Sequence, residues 1–412
     1  MDGLTLLIAA ILLGEYALSL AVKLLDQRHA APELPAEFSD VWDADDYRRS
    51  QAYGRDRTRL SVASNTAMLL ATLAVIFAGG LNAADTLARS WFAGEILRGL
   101  AFWTILVIGL GVVSLPFSMY GTFVIEARYG FNRTTPGQYL RDLALGVVLA
   151  ALLGYPALAG AIWLFQVAGV WAWLWVCGAL VVYQLVLSFL APALIMPLFN
   201  RFDPLPEGEL RTAIEDYAVR ESFPLGGIYT MDGSKRSSKS NAFFTGFGRF
   251  RRIVLFDTLV ERHTTAELLA VLAHEMGHFK RGHIRKLFVA GVAVNVLVFY
   301  LLSLLIDQPA VAAAFRLEQV SIYASFFFVM VFFTPLSLLL GALMNALSRR
   351  FEYEADRYAA DTVEAGAEHL IAGLKRLSVD NLATLTPHPL GVWLHYSHPP
   401  LLARIAALRQ RR

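Results

Sequence analysis

Two histidines in this chain of 412 residues have the spacing of metal ligands. His274 and His278 belong to the stretch His274-Glu275-x-x-His278, and residues four apart lie one above the other on the same face of a helix. Two imidazole nitrogens can therefore meet at one metal ion. Glu275 points to the side of that pair, where it can reach a water on the metal. This HExxH pattern predicts a zinc site that activates water.

The residues around this motif predict a helix that is packed rather than solvated. Thr264 and Glu267 have the spacing of a capping box at its start. The apolar residues of the helix would cover a wide surface: Leu268, Leu269, Val271, Leu272, Met276 and Phe279. The alternative is a chance match on a surface helix with two solvated histidines. Because buried histidines need polar partners, the apolar surface favours the metal site.

The chain has the composition of an integral membrane protein. Hydrophobic residues make up 56% and charged residues 17%, which is too apolar for a soluble protein of this length. The net charge of +2 gives no reason to expect nucleic acid as a partner. Cys177 is the single cysteine, which excludes a disulfide framework and a thiolate metal cluster. Arginine far outnumbers lysine, which together with the many alanines suggests a GC-rich bacterial genome.

Seven apolar runs are long enough to cross a bilayer, which takes about 20 residues. They cover residues 4–25, 61–83, 96–125, 143–167, 170–198, 286–306 and 321–347. The first is too long for a cleavable signal peptide and lacks a positive region before it. Glu15 lies in that run and faces either a water-filled interior or a partner on a neighbouring helix. Basic residues concentrate in the first, third and fifth connections and in the C-terminal tail, so the positive-inside rule places these segments and the HExxH helix in the cytoplasm.

The only long polar insertion follows the fifth run and predicts a small domain of helix and strand. We expect an amphipathic helix at 206–221, a short strand at 228–231, and a hairpin of 241–248 with 252–256 directly before the HExxH helix. The free edge of a strand at this place can bind an extended peptide by strand addition. The alternative is a sheet that simply covers the helix.

The predicted fold class is therefore an all-α membrane protein of seven transmembrane helices with a small α+β domain on the cytoplasmic side. The chain divides into 1–198 with spans one to five, 199–285 with the catalytic insertion, 286–347 with spans six and seven, and the C-terminal segment 348–412. A basic run in the insertion, formed by Lys235, Arg236 and Lys239, is expected in a solvated turn, with contact to lipid headgroups as the alternative.

A catalytic zinc takes three protein ligands and a water, so a third ligand is needed. The extended motif HExxHxxGxxH would require a histidine at 284, where this chain has Ile284. His283 would be rotated away from the ligand face if the helix continues, so we expect a cap or a membrane-interface residue there. Glu352 and Asp356 share a helix face after the seventh run. One carboxylate could bind zinc and the other a ligand histidine, and spacing does not say which; a charged helix end leaving the membrane is the alternative.

Several stretches together resemble the type I CAAX prenyl proteases, which are integral membrane zinc metalloproteases. They are Thr122-Phe-Val-Ile-Glu-Ala-Arg-Tyr-Gly-Phe-Asn-Arg-Thr-Thr135, Ser240-Asn-Ala-Phe-Phe-Thr-Gly-Phe-Gly248, His274-Glu-Met-Gly-His278, Phe351-Glu-Tyr-Glu-Ala-Asp356 and His395-Tyr-Ser-His-Pro-Pro-Leu-Leu402. The resemblance spans most of the chain. It implies that Glu352 is the third zinc ligand, that Asp356 is the partner of a ligand histidine, and that the seven helices enclose a chamber with one Zn²⁺ per chain at its cytoplasmic end.

The predicted reaction is hydrolysis of a peptide bond, with Glu275 as the residue that takes the water proton. His398 is a candidate for stabilising the oxyanion, and a buried hydrogen-bonding histidine is the alternative. Arg404 could bind a substrate carboxylate or be a surface helix residue. Asn241 could hold the substrate backbone or only form a turn at the start of a strand.

The family resemblance implies removal of the last three residues after a prenylated cysteine. The partners would be a peptide or protein substrate, prenylated or not, and the lipid bilayer. A second hypothesis keeps the chemistry in a bacterial membrane-protein quality-control protease with broader specificity, because protein prenylation is not expected in bacteria, and the composition favours the bacterial inner membrane as location. A third hypothesis is a seven-helix transporter, channel or receptor with an incidental HExxH.

Overall fold

The computed structural model describes residues 3–245 and 252–410. The helices in these ranges are α1 (Gly3–His29), α2 (Ala44–Phe77), α3 (Gly80–Trp91), α4 (Glu95–Tyr120), α5 (Pro136–Val167), α6 (Ala172–Leu190), α7 (Met196–Phe199), α8 (Glu209–Arg220), α9 (Asp257–Arg262), α10 (Thr265–Lys280), α11 (His283–Leu305), α12 (Pro309–Ala314), α13 (Ile322–Thr362), α14 (Gly366–Asp380), α15 (Pro389–His395) and α16 (Leu401–Arg409). The strands are β1 (Phe202–Pro204), β2 (Gly227–Met231), β3 (Ala242–Thr245) and β4 (Arg252–Phe256). The helix predicted at 206–221 and the strand predicted at 228–231 are α8 and β2.

Seven helical segments of the described chain are long and apolar enough to cross a membrane: Gly3–His29, Ala44–Phe77, Glu95–Glu126, Pro136–Val167, Gly169–Phe199, His283–Leu305 and Ile322–Thr362. Each overlaps one predicted run, but the seventh continues to Thr362, beyond the predicted residue 347, and the second begins and ends before its predicted bounds. It begins early because the Asp43 side chain caps α2 by accepting a hydrogen bond from the Asp46 amide. It ends before the predicted residue 83 because Gly79 adopts a left-handed φ of +82°, after which α3 begins.

The seven spans form a closed ring. Helix α1 packs on α2, α2 on α4, α4 on α5, α5 on α6, α6 on α11, α11 on α13, and α13 again on α1. Polar side chains pair between neighbouring spans, as in the 2.7 Å contact between the hydroxyls of Tyr16 and Thr66. The ring and the small domain at one end of it confirm the predicted fold class of seven membrane helices with a small α+β domain.

Apolar residues close the end of the ring that lies away from the small domain, and we call this the sealed end. Ile162 of α5 and Tyr323 of α13 are fully buried there. The helices approach closely at Gly99 of α4, where a Cβ would lie 2.5 Å from Ile162 Cδ1 and 2.9 Å from Tyr323 Cβ. Asp85 of α3 is 2% exposed and accepts hydrogen bonds from Tyr323 and Arg89. No sequence pattern predicted α3, which supplies this buried polar group.

The small domain at the other end contains a four-stranded sheet with the order β1-β2-β4-β3. Strands β2 and β4 are parallel, and the other two pairs are antiparallel. The predicted hairpin is present over its described part, with Ala242 opposite Leu255 and Thr245 opposite Arg252, while 246–251 lie outside the described residues. Strand β4, which is separated from the HExxH helix α10 by the short helix α9, is central. In the described sheet the free edges therefore belong to β1 and β3, and not to the strand next to the helix.

The prediction of a solvated basic turn is wrong for two of its three residues. Lys239 Nζ lies 2.9 Å from Glu126 Oε2 at the end of span three, and Arg236 Nε lies 2.8 Å from Asp142 Oδ2 in span four. Both pairs are half-buried, whereas Lys235 is exposed. The two ion pairs attach the small domain to the ring just before β3, a long-range contact that the local basic pattern could not reveal.

Candidate active site

Helix α10 carries the HExxH motif and starts with the predicted capping box. The Thr264 hydroxyl accepts a hydrogen bond from the Glu267 amide, and the Glu267 carboxylate accepts one from the Thr264 amide. The helix packs on α13 so closely at Gly277 that a Cβ there would lie 3.0 Å from Tyr358 Cβ and 3.1 Å from Ala355 Cα. This close approach brings the histidine face of α10 against the carboxylates near the end of α13.

Three side chains converge between these two helices: His274 and His278 of α10 and Glu352 of α13, with one ligand atom of each within 4.8 Å of the others. The two histidine Nε2 atoms are 3.2 Å apart. Glu352 Oε2 lies 3.4 Å from His274 Nε2, and Glu352 Oε1 lies 3.2 Å from His278 Nε2. Tetrahedral zinc, with bonds of about 2.0–2.1 Å, holds its ligand atoms about 3.3 Å apart. The separation of the two Nε2 atoms matches that geometry, and each of these nitrogens has one of the two Glu352 carboxylate oxygens at a similar distance.

The chemistry of the site also fits a cation. Glu352 is 3% exposed, and within the described chain its Oε2 has no hydrogen-bond partner. A buried carboxylate oxygen without a donor is costly unless a positive charge compensates it. Burial of His274 opposes its protonation, but the carboxylates of Asp356 and Glu352 outweigh this and raise the pKa of His274 to about 9. The site stabilises positive charge, so these residues can hold a divalent metal ion.

Asp356 holds His274 from the side away from Glu352. Its Oδ1 lies 2.8 Å from His274 Nδ1, which leaves Nε2 of the ring facing the other two ligand atoms. Arg404 of α16 donates to both oxygens of Asp356, over 2.5 and 2.9 Å, and is 7% exposed. The prediction that Arg404 binds a substrate carboxylate does not agree with these contacts, because its guanidinium is buried against Asp356. The alternative of a surface helix residue is wrong for the same reason.

His283 lies in a place that helical spacing did not predict. Helix α10 ends at Lys280, and Gly282 adopts a left-handed φ of +67°, so His283 starts α11 instead of continuing α10. The turn brings its ring back to the motif, with Nδ1 3.1 Å from His278 Nδ1. His283 is fully buried at the first residue of the sixth span and is not one of the three converging ligand residues, so its ring faces the motif and not the lipid headgroups. The glycine before it was the only local signal that the helix would break there.

The remaining predicted residues lie around the three ligands with different exposure. Glu275, beside a ligand histidine on α10, is partly exposed. His398 has Nε2 3.4 Å from Glu352 Oε1, and its side chain is 65% exposed, so it borders open space next to the ligand carboxylate. Asn241 is exposed directly before β3, and its side-chain oxygen accepts a hydrogen bond from the Ala242 amide.

Comparisons with known proteins identify the family to which this site belongs. The family model described as the CAAX prenyl protease N-terminal domain with five membrane helices matches residues 25–201, and the model of peptidase family M48 matches residues 204–412. This chain belongs to peptidase family M48. The two matches meet between the fifth span and the small domain, and the M48 part contains all three converging ligand residues.

Relatives of this M48 peptidase match over nearly the whole chain. The CAAX prenyl protease 1 homolog of Oryza sativa is 34% identical over 92% of this chain and 90% of its own length. The human CAAX prenyl protease 1 homolog is 31% identical over 97% of this chain and 94% of its own length. The crystal structure of S. mikatae Ste24p superposes with a TM-score of 0.94 and 30% identity, covering 99% of each chain.

The family, the fold and the site together make this M48 peptidase an integral membrane zinc metalloendopeptidase. The predicted enzyme class is confirmed. The hypothesis of a transporter, channel or receptor with an incidental HExxH is wrong, because the matches include the membrane ring and the motif in one family.

Proposed function

We propose that this M48 peptidase uses one zinc ion to remove the C-terminal tripeptide that follows a prenylated cysteine. The observation that carries the proposal is the convergence of His274, His278 and Glu352, with ligand atoms within 4.8 Å of one another, beside Glu275. The substrate class is inferred from relatives that are named CAAX prenyl proteases and are matched over at least 90% of their own length.

His274 and His278 would hold the zinc ion through Nε2, and Glu352 through its carboxylate, which leaves one position for water. Zinc bound there would polarise the scissile carbonyl and lower the pKa of that water. Two side chains outside the ligand set approach the buried Glu352, His398 Nε2 at 3.4 Å and Arg404 Nη1 at 3.7 Å, and neither is close enough for a strong hydrogen bond, so the charge of Glu352 stays available to the cation.

Glu275 is the proposed general base. Its side chain leaves α10 on a different face from the two histidines and is partly exposed, so it can take a proton from the attacking water and return it to the leaving amine. His398 is the proposed donor to the carbonyl oxygen as negative charge develops there. Its exposed ring, 3.4 Å from Glu352, borders the open side of the ligand group.

Asp356 and Arg404 are proposed to position His274. Asp356 accepts the Nδ1 proton of His274 and so directs Nε2 to the metal. Arg404 does not bind a substrate carboxylate, contrary to our expectation. It instead compensates the buried charge of Asp356 and fixes the orientation of that carboxylate. A substrate carboxylate must therefore be bound by another group.

The substrate peptide is proposed to extend along the free edge of β3, with Asn241 holding its backbone. The start of this strand is attached to the ring by Lys239, which donates to Glu126 at 2.9 Å and to the Tyr53 hydroxyl at 2.7 Å. Because these contacts fix β3 relative to the ring, a peptide bound on β3 would lie at a constant distance from a prenyl chain bound inside the ring.

The end of the ring that carries the small domain and the ligand residues, which we call the catalytic end, is proposed to face the cytoplasm, because the connections rich in arginine and lysine lie at that end of the spans. We also propose that the chain divides after residues 198, 285 and 347 into spans one to five, the catalytic insertion, spans six and seven, and the C-terminal segment. A bacterial inner membrane remains a prediction from composition. The broader bacterial quality-control protease is not favoured, since the relatives from rice and human are named CAAX prenyl proteases.

The test compares matched farnesylated and unmodified CAAX peptides, incubated with detergent-purified wild type and with Glu275→Gln, with products identified by mass spectrometry. We expect release of the tripeptide from the farnesylated peptide by the wild type alone, while Glu275→Gln retains zinc. Cleavage of both peptides at scattered bonds would refute the prenyl specificity and leave the hydrolytic site in place.

A further inference from the structure

The two ligand histidines have different partners on their Nδ1 side. His274 faces the carboxylate of Asp356. His278 faces another histidine, since its Nδ1 lies 3.1 Å from Nδ1 of His283, and Nε2 of His283 lies 3.1 Å from Glu354 Oε2. We propose that His283 and Glu354 form a hydrogen-bonded relay that positions His278 for metal binding. The inference rests on the proposed zinc ligation by His278.

Metal ligation sets the direction of the hydrogen bonds in this relay. With Nε2 of His278 facing the metal, the proton of the neutral ring is on Nδ1 and is donated to His283 Nδ1. The proton of His283 is then on Nε2 and is donated to the Glu354 carboxylate. In the opposite direction, the proton of His278 would be on Nε2 and would block the metal position. Glu354, which can only accept when ionised, therefore selects the tautomer of His278 that binds metal.

The ring of His283 is held in the orientation that the relay needs. It is fully buried and stacks on Phe351, the residue before the ligand Glu352, with ring centroids 4.2 Å apart and planes 5° from parallel. Gly282 turns the chain so that α11 starts against the end of α10. His283 of the sixth span and Glu354 of the seventh are thus connected to the three ligand residues through His278.

A purely structural role for His283 is the alternative, in which its ring only fills the space between α10, α11 and α13. The two explanations predict different zinc affinities when His283 is replaced by an aromatic ring without nitrogens. Phenylalanine can keep the stack on Phe351 and most of the packing volume, but it cannot accept the Nδ1 proton of His278. Asparagine loses the stack, yet its side-chain oxygen can accept that proton.

The test measures zinc affinity by chelator competition on the full-length protein in detergent, alongside thermal unfolding of the metal-free form. We expect His283→Phe to raise the Kd for zinc about 10–100-fold, the range for loss of a hydrogen-bond partner of a ligand histidine, with unchanged metal-free unfolding. His283→Asn should recover most of the affinity. Glu354→Gln should cause a smaller loss, because its amide oxygen still accepts from His283.

Two controls separate the possible failures. Arg350→Met removes the exposed ion-pair partner of Glu354, 3.2 Å away, and should leave zinc affinity unchanged. His278→Ala should abolish zinc binding. Wild-type affinity in His283→Phe would overturn the relay, as would a lower metal-free stability in His283→Phe without recovery of zinc affinity by His283→Asn. Retention of zinc by His278→Ala would instead overturn the proposed ligand set and the relay with it.

Discussion

The two ends of α13 bury different kinds of side chain, although they belong to one helix of 41 residues. Near its start, Tyr323 and Phe328 are 0% and 1% exposed in the apolar cluster of the sealed end. Near its other end, Glu352 and Asp356 are 3% and 2% exposed between α10 and α16. Burial of apolar surface stabilises the sealed end directly. Burial of two carboxylates costs free energy that only paired charges offset.

The difference indicates that the sealed end contributes to the free energy of unfolding, whereas burial of carboxylates at the catalytic end lowers it. At the catalytic end, the single charge of Arg404 faces both carboxylates, at 2.5 Å from Asp356 Oδ1 and 3.7 Å from Glu352 Oε2, and the remaining negative charge lies where two imidazole nitrogens converge. A divalent cation is the partner that completes this group. Changes at the catalytic end should therefore act on metal content and catalysis, and also on stability where they leave a buried charge unpaired, whereas changes at the sealed end should act on stability alone.

The largest effect is expected for Glu352→Ala, which removes the proposed third ligand from α13. We expect zinc content to fall from near one per chain to near zero and activity to fall by more than about 10³-fold, because the metal supplies several kcal/mol of transition-state stabilisation. Metal analysis and cleavage of a farnesylated peptide measure both. Tyr353→Phe, next in the chain but outside the ligand group, should keep both. Full zinc occupancy in Glu352→Ala would exclude it as a ligand.

Arg404→Met should have the next largest effect, because it leaves the carboxylate of Asp356 buried without its partner. The expected loss is about 3–5 kcal/mol in the free energy of unfolding. The matched control on the same helix is Arg409→Met, whose side chain is 54% exposed where it pairs with Glu37, so this ion pair should contribute about 0–1 kcal/mol. Denaturant unfolding of the two variants compares them. Equal small losses would mean that the charge of Asp356 is compensated by another group.

Gly99→Ala tests the sealed end. A methyl group there would lie 2.5 Å from Ile162 Cδ1 and 2.9 Å from Tyr323 Cβ, so the helices must move apart. We expect a loss of about 1–3 kcal/mol with zinc content unchanged. Gly109→Ala in the same helix meets no atom within 4 Å and should cost nothing. A loss of zinc in Gly99→Ala would contradict the separation of the two ends.

The smallest effect concerns pH and the charged groups around the start of β3. Burial of Asp380 favours its neutral form, but a hydrogen bond with His263 and the charge of Arg262 outweigh this and lower the pKa of Asp380 below 3.8. The stabilisation is therefore present above the unfolded pKa and is lost as pH falls through the folded pKa. Asp380→Asn should cost about 1 kcal/mol at neutral pH, and the difference from wild type should shrink as pH falls through the folded pKa of Asp380. Thermal unfolding against pH measures this convergence.

Features that depend on neighbours along the chain were predictable from the sequence. The HExxH spacing puts His274 and His278 on one face because of helical periodicity, and Thr264 with Glu267 capped the helix as expected. The apolar runs located all seven spans, since a bilayer requires length and hydrophobicity that composition reports directly. The bounds of the second span were less accurate because its end depends on one glycine conformation.

Features that depend on distant partners were decided only by the tertiary structure. Spacing allowed either Glu352 or Asp356 to face the histidines, and packing of α10 against α13 placed Asp356 on Nδ1 and Glu352 on Nε2. The sequence placed Arg404 at a substrate carboxylate or on a helix surface and Lys239 in a solvated turn, because sequence hydrophilicity does not report a carboxylate brought from another helix. The sequence by itself was sufficient for the metal-binding chemistry and the membrane class, whereas the orientation of each ligand was set by contacts between residues far apart in the chain.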